Sequence, residues 1–506
     1  MLKPLLDRYL NGYLFNWGES LICPNSEDIF AGFKCELNVN NAVILYFAGT
    51  GFMIPNIIKT EVLLFQLGSK GGFVVQIDVS NFHGACSCGR SHEIFVKEIL
   101  VEENALKKLP EKLSKIYTGA YTDISVICDT NTYQAAGEAV EKLLPGCNMI
   151  ILPAKDLHAD NHGVALAEKG LKISPNTKLI IAVGSGTVHD ISRYLSKDYG
   201  LNFVSVPTAA SVDGFVSTVS AMTWNGLKKT MPGVSPELVI ADTKIFSKAP
   251  YRLTASGISD LLGKYTALTD WEISHMVTGE YICHRVCELE MTALKEVCSC
   301  IEDLRGSLEE EKTLKAYEQL MYALLLSGIA MQMIGNSRPA SGAEHHISHL
   351  WEMEVINGPL DAYHGEKVSI GLMIVVHTYH KIKNAIKNGI CKVIPYKGME
   401  LEVLQETFGK KELYEGILEE NTPDPLALVD SDKLNSQLPS IAGVLDKLPS
   451  ESELLKLLSA AGCKKEMKEI SLEEKLLPIT IRLAPYVRNR LTFLRLSKLF
   501  KIKNET

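Results

Sequence analysis

Between about residues 93 and 245, short apolar runs alternate with stretches of helical periodicity. ISVIC (124–128), MIILP (149–153), KLIIAVG (178–184), NFVSVP (202–207) and ELVIAD (237–242) are continuous runs, the pattern of strands covered on both faces of a parallel sheet. After residue 246 the pattern changes to long amphipathic segments such as DLLGKYTALTDWEISHMV and TLKAYEQLMYALLLSGIAMQMI, and no strand is expected there. The chain therefore reads as an N-terminal extension (1–92), an α/β domain (93–245) and an all-helical domain (246–506). The join falls near Ser247 to Arg252, where Pro250 interrupts the pattern. A cleft is expected between the two larger halves.

Composition narrows the setting. Over 506 residues, 46% are hydrophobic and 22% charged, enough apolar material for more than one buried core. The formal charge of −8 comes without a long Lys/Arg run, which argues against nucleic acid as a partner, because phosphate backbones need a concentrated basic face. The most apolar stretch, AVILYFAGTGFMI (42–54), is too short and glycine-interrupted to cross a bilayer, and the N-terminus has no signal-peptide pattern. A cytoplasmic location is expected. Twelve scattered cysteines agree with reduced thiols. Cys86-Ser-Cys88-Gly-Arg-Ser-His92 offers soft ligands but lacks the second half of a zinc ribbon. Metal binding is therefore the lesser reading there, while Cys283, Cys287, Cys298 and Cys300 read as thiols packed among helices and are assigned no chemistry.

Chemistry enters at the end of the KLIIAV run. Gly184-Ser185-Gly186-Thr187-Val188-His189-Asp190 leads straight into ISRYLS. Strand, glycine turn and helix together suit a pyrophosphate, since residues without side chains let backbone N–H groups and the positive helix end approach its oxygens. The next run ends in Pro207-Thr208-Ala209-Ala210-Ser211-Val212-Asp213-Gly214, small and hydroxylated residues suited to lining the same crevice. Asp129 closes the first run. A carboxylate there either accepts hydrogen bonds from a ribose 2′-OH, favouring NAD over NADP, or caps a turn with Thr130 and Asn131.

The helical half carries SGAEHHISHLWEMEVINGPLDAYHGEKV (341–368), with four of the chain's 13 histidines. His345 and His349 are four apart and project from one helix face; His346 points elsewhere. His364 follows the Asn357-Gly358-Pro359 turn and must return on a second element. Asp260, heading an otherwise apolar helix, needs a partner. With His345 and His364 it makes an oxygen-plus-two-nitrogen set that leaves coordination positions open, the condition for a catalytic metal.

GSGTVHD, TAASVDG, GISDLLGKYTALTDW, SGAEHHISHLWEM and HGEKV, in this order, resemble the sn-glycerol-1-phosphate dehydrogenase family of the iron-containing alcohol dehydrogenase superfamily. The resemblance covers roughly residues 78 to 480 and leaves residues 1–77 unexplained. It implies an N-terminal NAD-binding α/β domain, with NADP as an alternative, and a helical domain with one divalent metal ion, zinc, nickel or iron, in the cleft. By the same resemblance Gly184 and Gly186 to Asp190 contact the cofactor's pyrophosphate, and Thr208, Ser211 and Ser217 line the nucleotide site. Asp213 and His349 meet substrate, Asp260, His345 and His364 hold the metal, and His346 has no role. Ser185 departs from the family, which commonly has a third glycine there. The implied reaction interconverts dihydroxyacetone phosphate and sn-glycerol-1-phosphate, with Lys228, Lys229 and Lys264 as candidates for the phosphate; a homodimer is compatible with it. A related polyol dehydrogenase, a dehydroquinate-synthase-like enzyme, which typically has Glu where Asp260 stands, and a non-catalytic protein of the same fold are the alternatives.

Overall fold

The computed structural model describes residues 33–37, 43–47, 65–67, 73–306 and 310–503. The chain divides into two compact units, Met1–Phe73 and Val74–Thr506. In the first, Phe33–Leu37 and Val43–Phe47 pair antiparallel; most of the expected N-terminal extension lies outside the described residues. Residues 77–92 belong to the second unit, where Ile77 and Phe82 are buried in the same core as Val101 and Val239. The close-packed region thus begins before residue 93.

The second unit is organised on six parallel strands: β1 (Glu98–Glu102), β2 (Ile124–Asp129), β3 (Asn148–Leu152), β4 (Leu179–Gly184), β5 (Asn202–Pro207) and, after a hairpin of β6 (Val219–Trp224) and β7 (Leu227–Pro232), β8 (Leu238–Asp242). Their order across the sheet is β1-β8-β5-β4-β2-β3. The apolar runs are continuous because both faces are covered: Leu179, Ile181 and Val183 of β4 face one core, Ile180 and Ala182 the other. The strand Phe73–Gln76 adds to the edge, with Val75 and Gln76 antiparallel to Val101 and Leu100. β1 and the β6–β7 hairpin are absent from the sequence reading. Half-buried LKKTMP in β7 lacks the apolar density that marks the buried strands.

In the helical half Pro250 forms the N-cap of α2 (Tyr251–Leu262), which follows α1 (Gly186–Tyr199) of the α/β half. Then come α3 (Lys264–Thr278), α4 (His284–Leu304), α5 (Glu310–Ile334), α6 (Ala343–Glu352) and α7 (His364–Lys387). α5 is buried on nearly every side, which explains its low amphipathicity. The half is not purely helical: Cys391–Val393 pairs antiparallel with Phe500–Ile502. No helix among the described residues is long and apolar enough to cross a membrane.

Two close backbone approaches set the position of the site. A Cβ at Gly257 of α2 would lie 2.2 Å from Ala210 O, in the loop after β5. A Cβ at Gly365 of α7 would lie 2.1 Å from Ser256 O of α2. Only glycine permits either contact. Together they bring the loop after β5, the Asp260 turn of α2 and the start of α7 to one place.

Candidate active site

The carboxyl ends of β4 and β5 lie side by side, Gly184 opposite Pro207, and Thr208 N donates to Gly184 O at 2.9 Å. Ser185 is the N-cap of α1, so the glycine turn opens directly onto a helix N-terminus. A Cβ at Gly186 would sit 3.2 Å from Val212, and this tight packing holds the two loops as one rim. Thr208 and Ser211 are buried on it; Ser217 Oγ accepts from Val219 N at 3.1 Å. This is a backbone cradle of the kind a pyrophosphate occupies.

Three expected side chains behave otherwise. Val188 is fully buried beneath Gly184. His189 is also buried: Nδ1 donates to Ser185 O at 2.9 Å, Nε2 accepts from Ser205 Oγ at 2.7 Å, and the ring packs edge-on to Phe215. Burial pushes its imidazole down to about 3. Both side chains hold α1 on the sheet and are not available to a cofactor, because the helical period turns them inward. Asp129 caps the Thr130–Thr132 turn, its Oδ1 accepting from Asn131 N (2.8 Å) and Thr132 N (2.9 Å). That carboxylate is at least in part a turn residue.

Asp190, the last residue of the GSGTVHD run, is partly buried and paired with Arg193. Arg193 NH1 donates to it at 2.8 Å, while Arg193 NH2 donates to Gly214 O (2.5 Å) and Phe215 O (3.2 Å). One buried guanidinium therefore ties α1 to the loop that carries Asp213.

On the helical side the metal-type donors converge. Asp260, His345 and His364 place one ligand atom each within 4.8 Å of one another. His345 Nε2 lies 3.1 Å from Asp260 Oδ1, the spacing of two donors about 2.1 Å from a shared cation. The outer nitrogens are occupied: His345 Nδ1 by Glu344 Oε1 at 2.7 Å, His364 Nδ1 by Glu352 Oε1 at 2.8 Å. Carboxylates behind both rings leave Nε2 as the ligand nitrogen in each, the usual arrangement behind metal-binding histidines. The donor set fits a divalent cation. Burial opposes charge at both residues, but Lys264 and His345 hold the Asp260 carboxyl well below its ordinary range, and Asp260 and Glu344 push the His345 imidazole up to about 9.

α7 is aimed at the set from its first residue. Glu366 accepts from Tyr363 N, capping the helix, and takes a bidentate pair from Arg252 (Nε 2.6 Å, NH2 2.8 Å) two turns before Asp260 on α2. Asp213 joins the two halves of the site: its N–H donates to Asp260 Oδ2 at 3.0 Å, and its Oδ2 meets Lys264 Nζ at 2.6 Å and Ser327 Oγ at 2.9 Å.

Residues 100–250 match the family described as iron-containing alcohol dehydrogenase. Glycerol-1-phosphate dehydrogenase (NAD(P)+) of Halalkalibacterium halodurans is 31% identical over 418 residues, covering 81% of this chain and 94% of the relative. The same-named protein of Bacillus subtilis is 34% identical over 328 residues, 63% of this chain and 80% of the relative. The chain belongs to the glycerol-1-phosphate dehydrogenase family. Its fold is that of the iron-containing alcohol dehydrogenases. A crystal structure of that name from Corynebacterium glutamicum aligns over 81% of this chain and 96% of the other with a TM-score of 0.52 at 13% identity. Maleylacetate reductase from Rhizobium sp. aligns over 78% and 90% with a TM-score of 0.51 at 14% identity.

Within this family fold, His349 stands one turn from His345, its ring stacked 5.7 Å from His364. Its buried Nδ1 has no hydrogen-bond partner among the described residues, an arrangement that costs about 1–3 kcal/mol. Burial, with Arg488 and Lys228 nearby, holds its imidazole well below the ordinary range. His346 faces away, as expected, fully buried near Arg490 and Arg488. Of the three lysines considered for a phosphate, Lys264 is a correction: it is fully buried, bonded to Asp213, Asp260 O and Ala340 O, and offers nothing to a ligand. Lys228, on the hairpin, pairs with Glu352 at 2.9 Å, and its carbonyl accepts from Arg488.

Glu344, Glu352 and Arg488 were thus not assigned to the metal or substrate surroundings from the sequence, whereas Lys228 was among the phosphate candidates. A signal was present for the first two, carboxylates on a helix that is otherwise buried. None was present for Arg488, which arrives from the far end of the chain.

Proposed function

We propose that the protein is a metal-dependent, NAD(P)H-linked oxidoreductase that interconverts dihydroxyacetone phosphate and sn-glycerol-1-phosphate in the cytoplasm. The observation that carries this reading is the meeting of the Asp260–His345–His364 set with the glycine-turn cradle through Asp213, in a chain of this family. When bound, the divalent cation supplies Lewis acidity at the ketone, and zinc, nickel and iron all accept this ligand set. The reduced nicotinamide supplies the hydride.

The chain's own residues do the rest. Gly184, Gly186 and Thr187 present the turn's backbone to the pyrophosphate, with Thr208, Ser211 and Ser217 along the nucleotide. Asp190 lines the same rim. Glu344 and Glu352 hold the two histidines in the tautomer that points Nε2 at the cation. His349 contacts the substrate and exchanges the hydroxyl proton. Lys228 and Arg488 form the cationic side facing His349 and receive the phosphate. The remaining Asp129 acceptor capacity favours the 2′-OH of NAD, so Asp129→Gly is expected to raise the relative use of NADPH; an unchanged NADPH/NADH preference would limit Asp129 to its capping role.

Phosphate binding far from the reacting carbon orients the ketone, so its removal lowers turnover as well as affinity. The test is NADH oxidation with dihydroxyacetone phosphate beside unphosphorylated dihydroxyacetone, then the reverse reaction with each glycerol phosphate enantiomer and NAD. Preference for sn-glycerol-1-phosphate is expected. Preferential oxidation of sn-glycerol-3-phosphate or of glycerol would overturn the substrate assignment and leave a metal-dependent dehydrogenase.

A further inference from the structure

Besides the Asp260 set, a second group of ligand-type side chains comes together. Cys86, Cys88, His92 and Cys283 each place one ligand atom within 4.8 Å of the others. The first three lie on a small hairpin in which Gly84 pairs with His92 and Ala85 with Ser91. Its turn is closed by Cys86 N donating to Arg90 O at 2.9 Å and Gly89 N to Cys86 O at 3.0 Å, with Gly89 at φ +84. A left-handed residue at that point suits glycine, and it lets both cysteines of the C-x-C face one way. Cys283, the N-cap of α4, supplies the fourth atom from 191 residues beyond His92.

We propose that Cys86, Cys88, His92 and Cys283 form a closed tetrahedral zinc site that staples this hairpin to the helical half. The spacings carry the argument. Cys86 Sγ lies 3.8 Å from Cys283 Sγ, and His92 Nε2 lies 3.4 Å from both Cys88 Sγ and Cys283 Sγ. Tetrahedral zinc with bonds of about 2.3 Å to sulfur and about 2.0 Å to nitrogen sets its ligands about 3.8 Å apart for two sulfurs and about 3.5 Å for sulfur and nitrogen. All four cysteine and histidine positions are uncommitted to other covalent chemistry, the cysteines being free thiols.

The surroundings are those of a metal site. His92 Nδ1 donates to Met333 O at 2.6 Å, which fixes the tautomer and leaves Nε2 for the cation. Tyr281 Oη donates to Cys88 Sγ at 3.0 Å, a hydrogen bond suited to a thiolate. Arg90 covers the Tyr281 ring at 3.4 Å. His92 and Cys283 are buried and four protein ligands leave no open position, so the site is structural, not catalytic. On binding, the three thiols coordinate as thiolates and release their protons. The site anchors the hairpin to α4 through Cys283 and to the end of α5 through Met333. The neighbouring Gln332 accepts from Phe95 N at 2.8 Å and donates to Val216 O beside the nucleotide loop.

The catalytic-type set contains no sulfur, and this separates the two sites experimentally. The full-length chain loaded with Co²⁺ in place of Zn²⁺ is expected to show an intense thiolate-to-cobalt charge-transfer band in the near ultraviolet. The double variant His345→Ala/His364→Ala should keep that band and lose its other metal. Cys88→Ser, at the more exposed ligand, and Cys283→Ser should weaken or abolish the band and lower the zinc content by one ion per chain, with a melting temperature lower by several degrees. Cobalt-loaded wild type without the band would overturn the proposal, and this measurement needs no variant to fold. So would an unchanged band and zinc content in Cys88→Ser, or a Cys86–Cys283 disulfide in protein purified without reductant. None of these outcomes depends on the substrate assignment.

Discussion

Lys264 Nζ lies 2.6 Å from Asp213 Oδ2 and is fully buried, so a single ammonium joins the nucleotide-side loop to the first turn of α3. The same nitrogen lies 3.6 Å from Asp260 Oδ1. Two carboxylates are thereby held together that would otherwise repel, and each is costly to bury alone. Lys264→Met is expected to lower kcat by about 10²-fold, a typical consequence of misplacing reacting groups by about an ångström, while metal content stays near wild type. Steady-state kinetics with metal analysis checks this; full activity in the variant would remove Lys264 from the positioning of the site.

The roles proposed for the histidines predict different losses. His345→Ala or His364→Ala is expected to lose bound metal and nearly all turnover, with the fold retained by circular dichroism. His349→Ala should keep most of the metal and lose rate by about 10²-fold or more, the scale of one general acid–base group. Equal metal loss in His349→Ala and His345→Ala would mean that the ligands are wrongly divided.

Lys228 reaches the histidines from a hairpin of the other half. Its pair with Glu352 is nearly buried, both side chains being 11% exposed. Lys228→Ala is expected to raise KM for dihydroxyacetone phosphate by about 10-fold or more, equivalent to about 1.4 kcal/mol, and to weaken competition by inorganic phosphate, with little change in KM for NADH. An unchanged KM would make Lys228 only the counter-charge of Glu352.

Glu318 of α5 provides a pH dependence away from the Asp260–His345–His364 set. Its Oε1 accepts from Thr243 Oγ1 at 3.0 Å, and burial, with Glu103 and Glu102 nearby and Lys315 opposing them, raises its carboxyl to about 7. The folded value lies above the unfolded one, so the folded state binds more protons between them. This stability is fully present below about pH 4.5 and is lost as pH rises through about 7. Glu318→Gln is therefore expected to flatten the fall in melting temperature between about pH 5 and about pH 8. Calorimetry across that range checks it, and a parallel curve for the variant would exclude Glu318 as the source.

The parallel strands and the start of the helical half were legible because each is written in local chemistry. Unbroken apolar runs report burial on both faces, and Pro250 marks a helix start. The histidine set was legible for a related reason: an i, i+4 spacing projects two imidazoles together whatever surrounds them. What lay hidden depends on long-range packing. Val188 and His189 sit inside a recognisable glycine motif, yet the turn of α1 rotates them into the sheet. Lys264 read as a candidate for the substrate phosphate, but Asp213 and Asp260 close around it. Cys283 joins Cys86, Cys88 and His92 only after the chain has travelled through the whole α/β half.

The backbone contacts at Gly257 and Gly365 bear on how such a site can change over evolutionary time. Where helices touch through main-chain atoms, with a would-be Cβ 2.2 Å from Ala210 O or 2.1 Å from Ser256 O, there is no side chain to trade for a larger or smaller one. The relative placement of Asp260, His364 and the loop after β5 is then inherited as a unit. Lys228 on the hairpin and Arg488 in the C-terminal segment lie outside that frame, so substitutions there leave the frame in place. Under the proposed roles, the groups that hold the cation and those that receive the phosphate therefore sit in separable parts of the chain.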